Sequence, residues 1–270
     1  MRGVSRASLA EVEGRLEPLT TSTEVSAALA DDLFGVAGLL ASQSVLRRAL
    51  ADPSRSAEAR SDLARSVLAG RVSDEAAELV AAAAAARWSA PGDLTVAVEQ
   101  LAVQAIVAAA EQEGHLDDLE DELFRFGRIV ASQATLRMTL TNPFVPGEAK
   151  RQLLTNLLAG KVTPESLRLI TEAAASPLGR SLDLSLEEYA RLAARRRARL
   201  VAEVHVSVAL TAEQRNRLAA GLTEAYGHDV HLNVVLDPKV VGGMTVRVGD
   251  ELIDGSVATR LAEARRKLAS

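Results

Sequence analysis

"LFGVAGLLASQSVLRRALADPSRSAEARSDLARSVLAGRVSDEAAEL", residues 33–79, returns ninety residues later as "LFRFGRIVASQATLRMTLTNPFVPGEAKRQLLTNLLAGKVTPESLRL", residues 123–169. The offset of 90 is constant from Leu33 and Leu123 through Pro53 and Pro143 to Gly70 and Gly160, without a gap. Ala41, Ser42, Gln43, Leu46, Arg47, Leu50, Glu58, Leu63, Leu68, Val72 and Glu75 all recur at that offset. Self-similarity of this length without an insertion marks a duplicated structural unit.

Each copy reads as a set of short helices. Leu116, Leu119, Leu123, Phe126 and Val130 recur at spacings alternating between 3 and 4, matched by Leu29, Leu33, Val36 and Leu40, so one apolar stripe faces a core. This helix is expected to run to Leu50 or Leu140, with Pro53 and Pro143 stopping it because proline cannot continue the hydrogen-bond ladder. A second helix carries Leu63, Val67 and Leu68, or Leu153, Leu154, Leu157 and Leu158. It ends at Gly70 or Gly160, residues suited to left-handed caps. A third begins at Ser73 or Thr163 as N-cap, with Pro164 in the first helical position and Glu75 or Glu165 near the positive helix end. Loops at 89–93 and 176–181 precede long helical stretches, 94 to about 113 and 182 to about 200; the first closes one bundle and opens the next.

From residue 200 the period changes to two. Ala202, Val204, Val206, Val208 and Leu210 alternate with polar residues as in a half-buried strand. A helix comes next, with Thr211 and Gln214 as a capping box, Leu218, Leu222 and Ala225 on one face and Gly227 at its end. Val230, Leu232, Val234 and Leu236 then mark one side of a strand, and Met244, Val246 and Val248 another. Gly249 and Asp250 suit a tight hairpin turn, Leu252 and Ile253 start the return strand, and Ser256 can cap a last helix. The expected fold is mainly α: tandem helical bundles at 1–93 and 94–199, then a small α+β carboxyl-terminal domain at 200–270.

Composition narrows the function. A chain of 270 residues without cysteine has no disulfide framework, thiolate metal site or cysteine nucleophile, which fits a reducing, cytosolic setting. The longest apolar run, residues 79–86, is far short of the roughly 20 residues of a membrane span, so membrane association is expected through a partner, without direct insertion. A net charge of -5 and 3% aromatic residues argue against nucleic acid as a ligand. The cationic run Arg195, Arg196, Arg197 and Arg199 reads as a solvated helix face.

The chemical candidates fare poorly. Gly242 and Gly243 lack the lysine, hydroxyl and adjoining helix of a phosphate loop, and the residues after them, from Met244, read as a strand. Their expected role is to turn the chain from Pro238 into that strand. Asp237 and Asp254 stand at ordinary turn positions, before proline and glycine. His228 and His231 would point to opposite faces of a strand, with no third ligand near. No catalytic, cofactor or metal residue is expected. On the residues alone, a free-standing helical-repeat adaptor is the alternative to any larger assembly.

One stretch is more specific. "LDPKVVGGMTVRVGDELIDGSVATRL", residues 236–261, resembles the carboxyl-terminal signature of the delta subunit of F-type ATP synthase, the oligomycin-sensitivity-conferring protein of mitochondria. The pattern is carried by Asp237, Val240, Gly242, Gly243, Val246, Arg247, Val248, Gly249, Asp254, Gly255 and Ser256. The resemblance extends over roughly residues 94–270; the copy at about 1–90 is additional to the family's usual single bundle. It implies a non-catalytic stator, without cofactor, on the cytoplasmic face of a bacterial membrane. Its bundle would grip amino-terminal segments of alpha subunits, and its carboxyl-terminal part would bind the ends of the b subunits. Ala102, Ile106, Ala109, Tyr189 and Leu192 are the expected groove residues, and Val257, Leu261 and Leu268 the expected stalk contacts.

Overall fold

The computed structural model describes residues 3–254 apart from 21, 176, 177, 179, 200, 227–229, 238, 239, 241 and 250. It divides into two compact units, residues 1–193 and 194–270. The first holds α1 (Gly3–Leu16), a 3-10 turn (Glu17–Leu19), α2 (Thr23–Ser42), α3 (Ser44–Leu50), α4 (Ala57–Leu68), α5 (Asp74–Ala85), α6 (Pro91–Gln112), α7 (Leu116–Ser132), α8 (Ala134–Thr141), α9 (Gly147–Leu158), α10 (Pro164–Ala175) and most of α11 (Leu182–Arg199).

The repeat is visible atom by atom. Gly70 and Gly160 close α4 and α9 with φ of +67° and +72°, a conformation that favours glycine. Asp32 accepts from the N–H and hydroxyl of Ser73 at 2.8 and 2.6 Å, and Glu122, ninety residues on, accepts from the same groups of Thr163, both at 2.9 Å. Each copy thus ties the start of its fifth helix to its second.

The helices expected to reach Leu50 and Leu140 are each broken once, at Gln43 (φ −103°, ψ 81°) and Gln133 (φ −112°, ψ 94°). A break frees carbonyls at the end of the preceding helix, and a shared arginine takes them up. Arg47 Nη1 donates to the carbonyls of Leu40 (2.8 Å) and Ala41 (3.1 Å), and Arg137 Nη1 to that of Ala131 (3.0 Å). The corner turns Leu50 and Leu140 into the core, where both are buried.

Helix α6 is the axis of this unit. Its buried positions, from Leu94 through Leu101 and Ala105 to Ala110, leave no polar stripe of the usual width, as expected of a helix covered on more than one side. Among the described residues α2 and α6 are long and apolar enough for a membrane span, although scattered polar residues interrupt the apolar run of each; 78% of the apolar stretch of α6 is buried inside the unit.

The second unit contains β1 (Val201–Val206), α12 (Ala212–Tyr226), β2 (His231–Leu236), β3 (Met244–Val248) and β4 (Glu251–Asp254). The sheet order is β2-β1-β3-β4, with β1 and β2 parallel and the other pairs antiparallel. Val204 lies opposite Val234 on one side and Val246 on the other. Ala202, Val204, Val206, Leu222, Val230, Val246 and Val248 form its core, with Leu210, Leu218, Leu232, Val234 and Met244 packed around them. The capping box is present: Gln214 N–H donates to Thr211 Oγ1 (3.2 Å) and Thr211 N–H to Gln214 Oε1 (2.9 Å). Two expectations are corrected. Val208 lies beyond the end of β1 and is exposed, and Leu236, at the last position of β2, is exposed too.

Candidate partner-docking surfaces

The five expected groove residues are core residues. Ala102, Ile106 and Ala109 on α6 and Tyr189 and Leu192 on α11 are all buried, so as packed they offer a partner no surface. The reason is that α6 is wrapped by the first copy as well as by the second. Tyr189 also makes a polar contact in the core, where its hydroxyl donates to Glu99 on α6 at 2.6 Å, and Arg180 pairs with the same carboxylate. Burial pushes the Glu99 carboxyl above its ordinary range, against the pull of Arg180 and Tyr189; burial and the neighbouring carboxylate push the Tyr189 phenol upward as well. This buried cluster joins α6, α11 and the segment that carries Arg180.

A groove does exist, between α7 and α11. Leu123, Phe124, Gly127, Arg128 and Ala131 face Asp183, Leu186, Glu187 and Ala190 across a mainly apolar cleft of about 360 Å³. At Gly127 a Cβ would stand 3.9 Å from Leu186 Cδ1, an ordinary van der Waals contact. Phe124 is 62% exposed at its rim, and Ile129 and Leu184, on the same helices, are also exposed. The sequence held a signal for this: Phe124 and Ile129 fall off the buried stripe of α7 (Leu116, Leu119, Leu123, Phe126, Val130), so they had to face outward.

In the second unit the signature residues are backbone devices. Gly242, Gly243 and Gly249 have φ of +68°, +77° and +57°. Gly249 opens the hairpin whose last strand pair is Val248 with Glu251. The Asp237 N–H donates to the Val206 carbonyl (2.9 Å), extending the β1–β2 ladder, while its carboxylate lies 3.6 Å from His205 Nδ1. Asp254 is the last residue of β4, opposite Thr245, where a turn position was expected. Gly255, Ser256, Val257, Leu261 and Leu268 lie outside the described residues. So does His228.

At its described glycines the signature therefore shapes a backbone, and known proteins share it. The family model described as "ATP synthase delta (OSCP) subunit" matches residues 103–268. The chain belongs to that family. Delta subunits of Thermobifida fusca and Streptomyces griseus, each named "ATP synthase subunit delta", are 47% identical over 269 and 270 residues, covering 100% of both chains in each case. Those relatives therefore also span the additional first copy. The Toxoplasma gondii mitochondrial ATP synthase hexamer contains a chain 18% identical, with a TM-score of 0.33 over 62% of this chain and 95% of that one, too distant to bear on this fold. As a member of the delta family the chain is a non-catalytic stator subunit of the peripheral stalk, part of the membrane-associated ATP synthase complex.

Proposed function

We propose that the helical unit holds amino-terminal segments of alpha subunits while the carboxyl-terminal unit takes the ends of the b subunits, on the cytoplasmic face of a bacterial cell membrane. The division of labour runs over three segments: an extra bundle at 1–93, the family's bundle at 94–199 and the α+β domain at 200–270. Val257, Leu261 and Leu268 are the proposed stalk contacts.

The observation that carries this reading is the apolar cleft between α7 and α11 with Phe124 exposed on its rim. An amphipathic helix lays its apolar face into such a groove, and holding it needs shape and apolar area without any group of shifted pKa. Resisting torque asks the same: a rigid body with tightly docked partner segments.

The test is binding of a synthetic alpha amino-terminal peptide, from the same organism's enzyme, to the full chain by fluorescence anisotropy. Phe124→Asp should weaken it by about tenfold or more, the range of an aromatic anchor lost from an interface. Equal affinity in the variant would remove the cleft from the reading; no binding to the wild-type chain would remove helical-unit docking altogether.

A further inference from the structure

Carried across both copies, the offset of 90 pairs α2 with α7 and α6 with α11. The seam between α2 and α6 in the first copy therefore corresponds to the cleft between α7 and α11 in the second. Phe34, Ala37 and Gly38 become Phe124, Gly127 and Arg128.

In the first copy the seam is covered by the second. Phe34, Ala37 and Gly38 on α2 and Glu99 on α6 meet Glu172 on α10, Leu178, and Tyr189 on α11 around a void of only about 10 Å³. Gln100 on α6 adds a bond to Glu188 on α11 at 3.1 Å. Beside this contact α10 presents one arginine. Arg168 pairs with Asp31 on α2 at 2.7 Å, and its guanidinium stands 5.7 Å from the centre of the Phe34 ring, one turn on. An acid and an aromatic residue three apart on one helix thus hold a single cation by charge and by the ring.

The same two residue types recur on α7, where no bundle covers them. Asp121 and Phe124 stand ninety residues after Asp31 and Phe34, and the chain beyond α11 goes on to β1, not to a third bundle. Phe124 is 62% exposed. Asp121 pairs with Arg125 within α7, an exposed contact of the kind that a better-placed cation can replace. The adjoining cleft carries two carboxylates, Asp183 and Glu187, against one cation, Arg128. The last unit of a repeat array ordinarily shows a polar outer face, whereas this one keeps an exposed aromatic residue beside an apolar cleft.

A second copy of this chain does not fit there. Helix α5 corresponds to α10, and it has Glu78 where α10 has Arg168. Arg65, at 2.6 Å, keeps the Glu78 carboxyl below its ordinary range and ionised. Head-to-tail stacking of chains, which would run on into filaments, would set Glu78 against Asp121. Charge thus refuses the chain's own first copy and accepts a partner with an arginine at that place.

We propose that Asp121 and Phe124 form a reading pair for an arginine, and that the alpha-subunit segment seated on the α7–α11 cleft presents that arginine as α10 presents Arg168. This rests on the reading of the cleft given above, and adds the residues that select the chemistry of the partner.

The experiment measures the synthetic alpha amino-terminal peptide against the full chain by fluorescence anisotropy, at low and high salt. Asp121→Lys should bind about tenfold more weakly at low salt, with the gap narrowing as salt screens the charges. Phe124→Leu, which keeps apolar bulk and loses the ring, should bind about threefold more weakly. The arginines of the peptide are then replaced by glutamate one at a time. One replacement should weaken binding to the wild-type chain and restore binding to Asp121→Lys. Both substituted side chains are exposed, and circular dichroism confirms that the variants fold. Wild-type affinity of Asp121→Lys beside a loss in Phe124→Asp would overturn the proposal and leave the α7–α11 reading standing. So would the lack of rescue by any arginine replacement. Self-association of the wild-type chain in sedimentation, lost in Asp121→Lys, would also overturn it, by making a second copy the occupant. Failure of the peptide to bind the wild-type chain would sink both.

Discussion

Helices α2 and α7 hold the same place in the two copies, yet one packs inward and the other faces out. Each has the same stripe, Leu33 matching Leu123 and Leu40 matching Val130, all buried. Off the stripe they part. Where α2 has Ala30 and Gly38, α7 has Glu120 and Arg128. Small residues let α2 close on α6 along its length, while Arg128 on α7 lines a cleft of about 360 Å³ against α11. The shared residues set element lengths, breaks and caps; the unshared ones decide which helix becomes core and which becomes surface.

The equivalence is most easily broken at the stripe. Leu33→Ala and Leu123→Ala remove matched side chains, both without solvent exposure, and each should cost about 2–5 kcal/mol in denaturant unfolding. A silent change at either position would mean that the two stripes do not do the same work. Removing residues 1–85 is a blunter tool, because it strips from α6 the surface that α2 covers.

The next largest effect is expected at the point where the copies are joined. Tyr189→Phe deletes the 2.6 Å bond to buried Glu99 and should cost about 1.5–3 kcal/mol at neutral pH, the range for a bond to a charged group. The sign with pH comes from the raised Glu99 value. Folding favours the protonated carboxyl, so its contribution is full below the unfolded pKa and is lost as pH rises through the folded one. Tyr189 limits that loss by stabilising the ionised form. The penalty of Tyr189→Phe should therefore be larger at pH 7 than at pH 4 in paired melts; a flat difference would mean that Glu99 does not ionise in the folded chain.

Much of this fold could be read from the sequence because it rests on local signals. Gly70, Gly160, Thr211 and Gln214 act through neighbours a few residues away, as do the caps that Ser73 and Thr163 place on Ala76 and Ser166, and all behave as their types dictate. The docking surface was less legible because burial on α6 is set by α2, a helix distant in the chain. Ala102, Ile106 and Ala109 look like one apolar face until the rest of α6 is counted: Leu94, Ala97, Leu101, Ala105 and Ala108 are apolar as well. A helix apolar all round is covered all round. By that rule the exposed face belongs to α7, whose amphipathic pattern leaves Phe124 outside, and not to α6. The breaks at Gln43 and Gln133 were hidden for a different reason: glutamine carries no breaking signal, and the arginine that stabilises each corner reads as an ordinary helix former.

The smallest effect is expected at the ion pair between α2 and α10. Asp31 and Arg168 have side chains 61% and 38% exposed, in the order aspartate then arginine, so their pairing should contribute about 0.2–1 kcal/mol and fade with salt. Single substitutions mislead here, since Arg168 also lies 3.4 Å from Glu172 and near the Phe34 ring. A double-mutant cycle of Asp31→Asn with Arg168→Met isolates the pair. A measurable coupling at low salt means that charge matching helps seat α2 against α10, at the point where the first copy has Glu78 in place of Arg168. Zero coupling would leave α2 held by apolar packing alone.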